Sequence, residues 1–449
     1  MLMTWLVGCT ACSFDPKGSP NGIVDAGIGP DAIVADARIG PDGPFMCVAH
    51  CEGATLVECS ANVEQRNDCP VDCVEAGGPH CGDLVGSNDL DPDLLVGADG
   101  ELRAMDGDII TIQADTGQIS RGATLLRPAG EGLVNGIRYV QGPPYNVFVF
   151  DRLRIDRNGT VLLRAISTGG VTSPAIFYLS DRAEINGLID ITAGCPDSTR
   201  WCAGVGGGNG GTTTFLPLGC ARGSEGSTGV LSDATGGGGG GFGQDGGAGG
   251  DSADFSGGAG GVNTTCTGEI LVPLEGGSGG DRGGDGGRGG GGGGALQITA
   301  LRSIEIAPAG GGVPAGVWAG GGGGEGGGIF SGGGGGGSGG AILLESPVVD
   351  VASGAILAAN GGGGGEGDGS GNGQDGLLAA MPAGGGGGGV VRHGGPGGCC
   401  TTAPEVGDGP GGGTGGGGGG AGRIRINGRD VTVSGTSTPP PSVGPITVQ

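Results

Sequence analysis

Residues 148–155 read FVFDRLRI and are followed by an Asn158-Gly159 turn and the apolar run TVLL at 160–163. The same order recurs at 181–191 as DRAEINGLIDI. Alternation of apolar and polar residues indicates β-strands, and Asn-Gly between such runs is a strong signal for a tight turn. A unit that recurs in this way cannot bury its apolar face alone, so we expect neighbouring copies to stack.

Strands of the same kind return three more times further along the chain. They read ALQITALRSIEI at 295–306, AILLESPVVDVASGAILA at 341–358 and RIRINGRDVTV at 423–433. Short strands separated by Asn, Ser or Gly predict an all-β fold built from parallel β-solenoid-like repeats. The alternative is a β-sandwich with disordered glycine loops, which antiparallel pairing across Asn158-Gly159 would favour.

Glycine tracts separate the later strands. The chain has 122 glycines among 449 residues, with runs at 236–241, 289–294, 332–337, 384–389 and 415–420. From Gly276 to Gly294, Arg282 aside, the non-glycine residues recur at every third position, beginning with Ser278 and Asp281. Because a polyproline II helix has three residues per turn, this phase predicts polyglycine II-like helices that bond laterally through their backbones. Flexible glycine-rich loops are the alternative.

Composition restricts the classes of protein that remain. Three Trp, three Tyr and nine Phe give little volume for an ordinary core, although 35% of the residues are apolar and only 15% charged. The fold must therefore depend on backbone hydrogen bonds. The net charge of -25, with Lys17 as the single lysine, excludes the basic patch that nucleic-acid binding needs.

The N-terminus resembles an export signal. Leu6-Val7-Gly8-Cys9 is similar to the lipobox of bacterial lipoproteins, although eight residues without Lys or Arg precede the cysteine. We therefore expect residues 1–12 to be a partial lipoprotein signal that is lipidated at Cys9. The acidic repeats at 25–31 and 36–42 predict a disordered tether over 13–46. The expected location is the outer membrane or cell surface with a lipid anchor, or otherwise secretion.

Cysteines predict a disulfide framework in an exported chain. A C-x3-C-x7-C spacing occurs twice, so each half holds three cysteines and at least one bridge must join the halves. A zinc site using His50 and His80 is the alternative. The adjacent pair near residue 400 cannot easily bond to itself, so we expect its partners elsewhere. The candidate disulfide cysteines are Cys47, Cys51, Cys59, Cys69, Cys73, Cys81, Cys195, Cys202, Cys220, Cys266, Cys399 and Cys400.

These features divide the chain into six predicted segments. The signal and tether end at residue 46, and a disulfide-rich module at 47–83 follows them. A β-repeat domain at 84–204 precedes a glycine-rich domain with interspersed strands at 205–435. The last segment, 436–449, is a Pro-rich tail.

Glycine-rich stretches such as GGAGG at 246–250 and 257–261 carry a resemblance to known proteins. Residues 205–422 resemble the polymorphic GC-rich repeat proteins of bacterial surfaces, the glycine-rich domain of the anaplastic lymphoma kinase ectodomain and polyglycine-sandwich phage adhesins. The order of lipobox, acidic tether, cysteine knot and glycine-interrupted β-repeats is similar to that of uncharacterised glycine-rich bacterial cell-surface lipoproteins. The resemblance implies a location at the cell surface and the role of a scaffold. It implies no enzymatic activity.

Motifs for catalysis are weak. His50, His80 and His393 are the three histidines, and none has a nucleophile and an orienting carboxylate nearby in a recognised motif. The segment from Asp368 to Asp375 places oxygen ligands at alternate positions but lacks the terminal Glu of a calcium loop. We therefore expect no metal site and no cofactor.

The sequence favours a non-catalytic structural or adhesive scaffold, with a carbohydrate or a surface protein as its ligand. The alternative is a polysaccharide lyase or hydrolase on a β-helix, whose groove would be lined by arginines and paired carboxylates. The carboxylates proposed for such a groove are Asp151, Asp156, Asp181, Glu184 and Asp190.

Overall fold

The computed structural model describes residues 47–60, 63–69, 71–142, 144–165, 172–194, 200–229, 233–310, 314–387 and 392–449. The predicted lipidation site, tether and Cys195 lie outside these residues. The chain forms two units. Of the described residues, the smaller unit holds 47–48, 59–60 and 63–64, including the Cys47–Cys59 disulfide. The larger unit holds the rest.

Short strands surround the clustered cysteines. A three-stranded sheet has the order β1 (His50–Glu52), β2 (Thr55–Ser60) and β3 (Val63–Asp68). An antiparallel pair follows, made of β4 (Asp72–Val74) and β5 (His80–Gly82). Every residue of β3 is exposed, so this part of the chain buries little apolar surface. Next come β6 (Leu84–Val85) and a 3-10 helix (Pro92–Leu95).

Six strands then precede the repeats predicted from sequence. They are β7 (Glu101–Ala104), β8 (Ile109–Gln113), β9 (Gln118–Arg121), β10 (Thr124–Arg127), β11 (Gly132–Val134) and β12 (Ile137–Val140). Within this group β8 to β10 pair antiparallel, as do β11 and β12.

Five triplets of strands form the repeats. The first two are β13 (Asn146–Phe150), β14 (Arg152–Ile155), β15 (Thr160–Arg164) and β16 (Ala175–Leu179), β17 (Arg182–Ile185), β18 (Leu188–Asp190). The next two are β19 (Ala295–Ala300), β20 (Ser303–Ile306), β21 (Gly316–Trp318) and β22 (Ala341–Glu345), β23 (Val348–Val351), β24 (Ile356–Ala358). The last is β25 (Arg423–Asn427), β26 (Asp430–Val433) and β27 (Thr436–Thr438), followed by β28 (Ser442–Gly444) and β29 (Thr447–Val448).

Three sheets receive one strand each from every triplet. Sheet I has the order β11-β12-β13-β16-β19-β22-β25-β28, sheet II the order β7-β14-β17-β20-β23-β26, and sheet III the order β10-β9-β8-β15-β18-β21-β24-β27. From β13 onward the neighbours within each sheet are parallel. The strands on either side of Asn158-Gly159 lie in different sheets, so the antiparallel hairpin expected of a sandwich is absent from this turn.

Alternate residues of the three sheets point into one shared core. Leu153 pairs with Ala183, which pairs with Ile304, so apolar side chains stack in columns. Phe148 and Phe177 meet with ring centroids 5.9 Å apart, and burial of each such side chain contributes about 1.5–3 kcal/mol. Sheet II is half-exposed, whereas β13, β16, β19 and β22 of sheet I are buried on both faces. The fold is therefore all-β with parallel sheets, and the described residues contain no α-helix.

The Asn-Gly turns of successive repeats lie directly on one another. Leu188 donates its backbone N–H to the oxygen of Gly159, and Gly316 does the same to Gly187. Asn158 has a φ of 58°, a conformation that Asn tolerates better than most residues. A Cβ on Gly187 would lie 2.2 Å from the oxygen of Gly159, which is why this position needs glycine.

Three glycine-rich insertions leave the repeats, at residues 191–294, 319–340 and 359–422. One segment of each insertion bonds to the other two through backbone groups at every third residue. All seven hydrogen bonds measure 2.8–2.9 Å: Gly237 to Gly333, Gly240 to Gly336, Gly333 to Thr414, Gly336 to Gly417, Gly339 to Gly420, Gly417 to Gly237 and Gly420 to Gly240. The described tracts are thus hydrogen-bonded, not free loops. A further 3-10 helix (Asn263–Thr265) lies in the first insertion.

Candidate functional site

Charged side chains cover the exposed face of sheet II. One column across this sheet contains Arg103, Arg154, Glu184, Glu305 and Asp350, each paired in register with the next. The column is basic on β7 and β14 and acidic on β17, β20 and β23. The face therefore offers both signs of charge to a ligand.

A cleft of about 380 Å³ opens where β14, β17 and β20 begin. It forms because each triplet turns from sheet I to sheet II within one or two residues, which brings the corner residues of three repeats together. Its lining consists of Asp151, Arg152, Ser180, Asp181, Arg182, Arg302 and Ser303.

Asp181 is the centre of this cleft. The residue is 9% exposed, and its carboxylate lies among three guanidinium groups. The Nε atom of Arg152 is 2.6 Å from Oδ2, that of Arg182 is 3.7 Å from Oδ2, and that of Arg302 is 3.4 Å from Oδ1. Asp151 accepts a hydrogen bond of 2.8 Å from the Ser180 hydroxyl.

The cleft combines one central carboxylate with three guanidinium groups. The hydrogen bond and the charge of Asp181 raise the pKa of Arg152 above its usual value. The arrangement is suited to binding hydroxyl or carboxylate groups of a ligand through Arg302, which is 63% exposed.

The other predicted carboxylates are distributed around the fold. Asp156 follows β14 and accepts hydrogen bonds from Arg103 (2.8 Å) and Arg154 (2.9 Å). Burial acts to raise the pKa of Asp156, but these two hydrogen bonds outweigh it and the pKa lies below its usual value. Glu184 lies 3.2 Å from Arg182 on the same face.

Asp190 lies elsewhere, since its strand belongs to sheet III. It pairs there with Arg164 at 3.0 Å and accepts a hydrogen bond of 2.7 Å from the Thr192 hydroxyl. The structure thus brings Asp151 and Asp181 into one cleft, places Asp156 and Glu184 further along sheet II, and separates Asp190 from them.

A second buried carboxylate, Glu345, joins several strands. It accepts hydrogen bonds from the Ser87 backbone (2.9 Å), Gln297 (2.8 Å), Thr299 (3.1 Å) and Asn427 (2.8 Å). Every donor comes from this chain, so the cluster is satisfied internally and acts as a structural link.

The acidic segment from Asp368 to Asp375 does not converge on one point. Asp368 pairs with Arg392 and accepts from the backbone of Phe330, whereas Asn372 accepts from Gly326. Across the described ranges, no group of three or more His, Cys, Asp or Glu residues is arranged to hold a metal ion.

The clustered cysteines form disulfides. Cys47 pairs with Cys59, Cys51 with Cys73 and Cys69 with Cys81. The second of these bridges joins the two halves of the duplicated spacing, as predicted. Together the three bridges leave no free thiol in either half for the alternative zinc site.

The later cysteines divide into bonded and unbonded ones. Cys220 pairs with Cys266, and Cys202 is also disulfide-bonded. The expectation that Cys399 and Cys400 have partners elsewhere is wrong for this structure, because both thiols are free. They are adjacent in a tight turn, in which their two sulfurs lie close to each other and neither is in a disulfide.

Sequence reasoning expected arginines in such a groove but did not identify the three that dominate this cleft. Arg152 and Arg182 follow Asp151 and Asp181 in the repeated Asp-Arg pair, and this repetition was the available signal. Arg302 offered no such signal, because Leu301 and not an aspartate precedes it. Only the strand register places its backbone N–H 2.9 Å from the backbone oxygen of Asp181.

Comparison with known proteins gave no relative. No family model, no curated protein and no solved structure matches the chain. Within the part of the chain that the structure covers, no helix has the length and hydropathy needed to cross a bilayer.

Proposed function

We propose that this protein is a non-catalytic scaffold displayed at the bacterial cell surface, where it serves a structural or adhesive role. The observation that carries the proposal is the lateral bonding of the glycine tracts at every third residue. Such tracts behave as polyglycine II-like helices, so the chain gains a stiff body from backbone bonds. A catalytic site would need an activated side chain, and the carboxylate of Asp181 is instead engaged by three guanidinium groups.

The strand order supports a parallel β-solenoid as the frame of this scaffold. Three consecutive strands visit sheets I, II and III in turn, and each sheet gains one parallel strand per triplet. This is the arrangement expected of stacked repeats that share a continuous core. The glycine-rich insertions then leave the frame at corresponding places in three successive repeats.

Attachment to the membrane through a lipid at Cys9 is part of the proposal. It rests on the similarity of residues 6–9 to a lipobox, and the disulfides agree with an oxidising compartment. The expected ligands, a carbohydrate or a neighbouring surface protein, would meet the outer residues around the glycine tracts, because the glycines at 236–241, 289–294 and 332–337 are themselves buried.

Metabolic labelling with a fatty-acid analogue tests the anchor. The wild-type chain, expressed in a bacterial host that processes lipoproteins, should take up the label and fractionate with membranes. The Cys9→Ala variant should lose both properties while keeping its disulfides. Label that persists in this variant, or wild-type protein with reduced cysteines in the cytosol, would contradict the proposal.

An enzyme acting on acidic polysaccharides is the second candidate, favoured by the cleft in which Asp151 and Asp181 face three arginines. Release of unsaturated or reducing ends from a polyuronate would support it if Asp181→Asn abolished the release. Binding of the same polymer without cleavage, by wild type and variant alike, would instead favour the scaffold.

A further inference from the structure

Cys399 and Cys400 occupy a closed turn at one end of the third glycine-rich insertion. The backbone N–H of Cys399 donates to Thr402 (3.1 Å), and that of Thr402 donates back to Cys399 (2.7 Å). Cys400 has a φ of 56°, which turns its side chain back over its neighbour. The turn therefore holds two adjacent cysteines on the same side of the chain.

The two sulfurs lie unusually close for groups that are not bonded. Their Sγ atoms are 2.8 Å apart, whereas even carbon atoms in non-bonded contact rest at about 3.5–4.0 Å. Cys399 is buried and Cys400 is half-exposed. The pair is thus already compressed along the line that a sulfur–sulfur bond would follow.

Within the described ranges, no other cysteine is free to act as a partner. The other nine cysteines of the described ranges are all in disulfides: Cys47, Cys51, Cys59, Cys69, Cys73, Cys81, Cys202, Cys220 and Cys266. If this chain meets the oxidant that forms those bridges, the remaining two thiols meet it as well.

We propose that Cys399 and Cys400 are a redox-active pair that closes to a vicinal disulfide, which then forms one wall of the adjoining cleft. That cleft has a volume of about 420 Å³ and is bordered by Cys400, Thr401, Arg423 and Pro439. The Cys400 sulfur lies 3.4 Å from the Thr438 hydroxyl, which in turn donates to Asn360 at 2.6 Å. Closing the pair changes the group that this wall presents.

The oxidation is an ordinary thiol–disulfide exchange with a small disulfide such as oxidised glutathione. The more exposed Cys400 thiolate attacks one sulfur of the oxidant and releases the first glutathione thiolate. The Cys399 sulfur then attacks the Cys400 sulfur, loses its proton as it does so, and releases the second glutathione thiolate. Two electrons pass to the oxidant, and the two thiol protons end on the two glutathione molecules.

Adjacency makes this bond easier to reduce than the others. The four bridges with resolved geometry span Cα separations of 5.0–5.5 Å, within the usual range. Neighbouring Cα atoms across a trans peptide are only about 3.8 Å apart, so a vicinal bond is strained and its potential is higher. The pair is expected to open and close under conditions that leave the other bridges intact.

Thiol trapping on the full-length protein tests both that the pair closes to a disulfide and that this disulfide is easier to reduce than the other bridges. After equilibration with oxidised glutathione, denaturation in N-ethylmaleimide and digestion, the peptide holding residues 399–400 should carry no maleimide. It should also be lighter than the dithiol form by two hydrogen atoms. Across glutathione buffers of increasing reducing power, this peptide should become labelled before those holding Cys69 and Cys81.

Two variants serve as controls. Cys400→Ser should leave one reactive thiol at Cys399, which takes a maleimide or a glutathione, and Thr401→Ser should behave as wild type. The proposal fails if both wild-type thiols remain alkylatable after oxidation, or if either is found joined to another cysteine. The claim that the pair is redox-active also fails if the Cys399–Cys400 bond resists reduction as strongly as the Cys69–Cys81 bond.

Discussion

The hydrogen-bonded glycine tracts of the three insertions form what we call the glycine bundle. Single residues matter in it because there is so little room for side chains. Asp281 is 4% exposed, and its Oδ1 accepts the backbone N–H of Arg282 at 2.8 Å. Burial, and next the nearby charge of Glu225, raise the pKa of Asp281 to about 6, although Arg282 and Arg222 partly oppose this. An aspartate that is easier to protonate when folded makes the native state less stable as pH rises.

The substitution Asp281→Asn tests this effect. An unfolded Asp titrates near 4 and the folded one near 6, so the wild type loses up to about 3 kcal/mol of unfolding free energy between pH 4 and pH 7. The variant lacks this titration, so its stability relative to wild type should increase over the same range. Denaturant unfolding at several pH values measures the difference.

The exposed Asp254→Asn provides the matched control, and its difference from wild type should stay nearly constant with pH. A flat profile for Asp281→Asn as well would show that Asp281 is solvated. The bundle would then be looser around this residue than the structure describes.

At the scale of elements, the glycine tracts depend on close contact between backbones. A Cβ on Gly335 would lie 2.1 Å from the oxygen of Gly238, a backbone atom that is itself fixed by neighbouring tracts. Gly268, in contrast, is exposed, and nothing lies within 4 Å of its Cβ position. The two glycines differ in packing alone, because neither has a positive φ.

Alanine substitution at these two glycines separates packing from backbone entropy. Gly335→Ala should lower the free energy of unfolding by about 1–3 kcal/mol or more, as overpacking does in cores. Gly268→Ala should be neutral or slightly stabilising, because it restricts the unfolded chain. Equal effects at both sites, measured by thermal or denaturant unfolding, would contradict a close-packed bundle.

The sequence predicted elements better than it predicted their partners. Alternation at 148–163 and 181–191 correctly located β13 to β15, β17 and β18, and the three-residue glycine phase correctly indicated lateral bonding. The alternation of Ile110 and Ile112 in β8 was available but carried no repeat, so β7 to β12 were missed. Residues 436–449 looked like a tail, yet Thr436–Thr438 pairs with β24 as β27.

Site residues were harder to predict, for a physical reason. Asp151 and Asp181 lie thirty positions apart and become neighbours because the first insertion begins only after β18, so their triplets are adjacent. Arg302 joins them across the 104 residues of the first glycine-rich insertion, from Ile191 to Gly294. The order in which the repeats stack decides such meetings, and no local motif encodes it.

For the whole molecule, two different kinds of link keep the chain ordered. The cysteine-rich part has few buried apolar residues, among them Leu56, Val57 and Val71, so its order depends on disulfides. The glycine tracts from residue 332 to 340 and from 415 to 420 contain no cysteine and bond through backbone groups. Reduction should therefore affect the two regions differently.

Amide hydrogen exchange before and after reduction makes this division measurable. In the oxidised protein we expect protection over residues 65–82 and over the glycine tracts at 332–340 and 415–420. Full reduction should abolish protection at 65–82 and weaken it around the Cys220–Cys266 loop, because these segments lose the links that close them. Protection at Gly333, Gly336 and Gly417 should persist, since each donates to a neighbouring tract independently of any sulfur. Exchange of these glycines within the dead time, even in the oxidised protein, would show that the tracts are the flexible loops of the alternative fold.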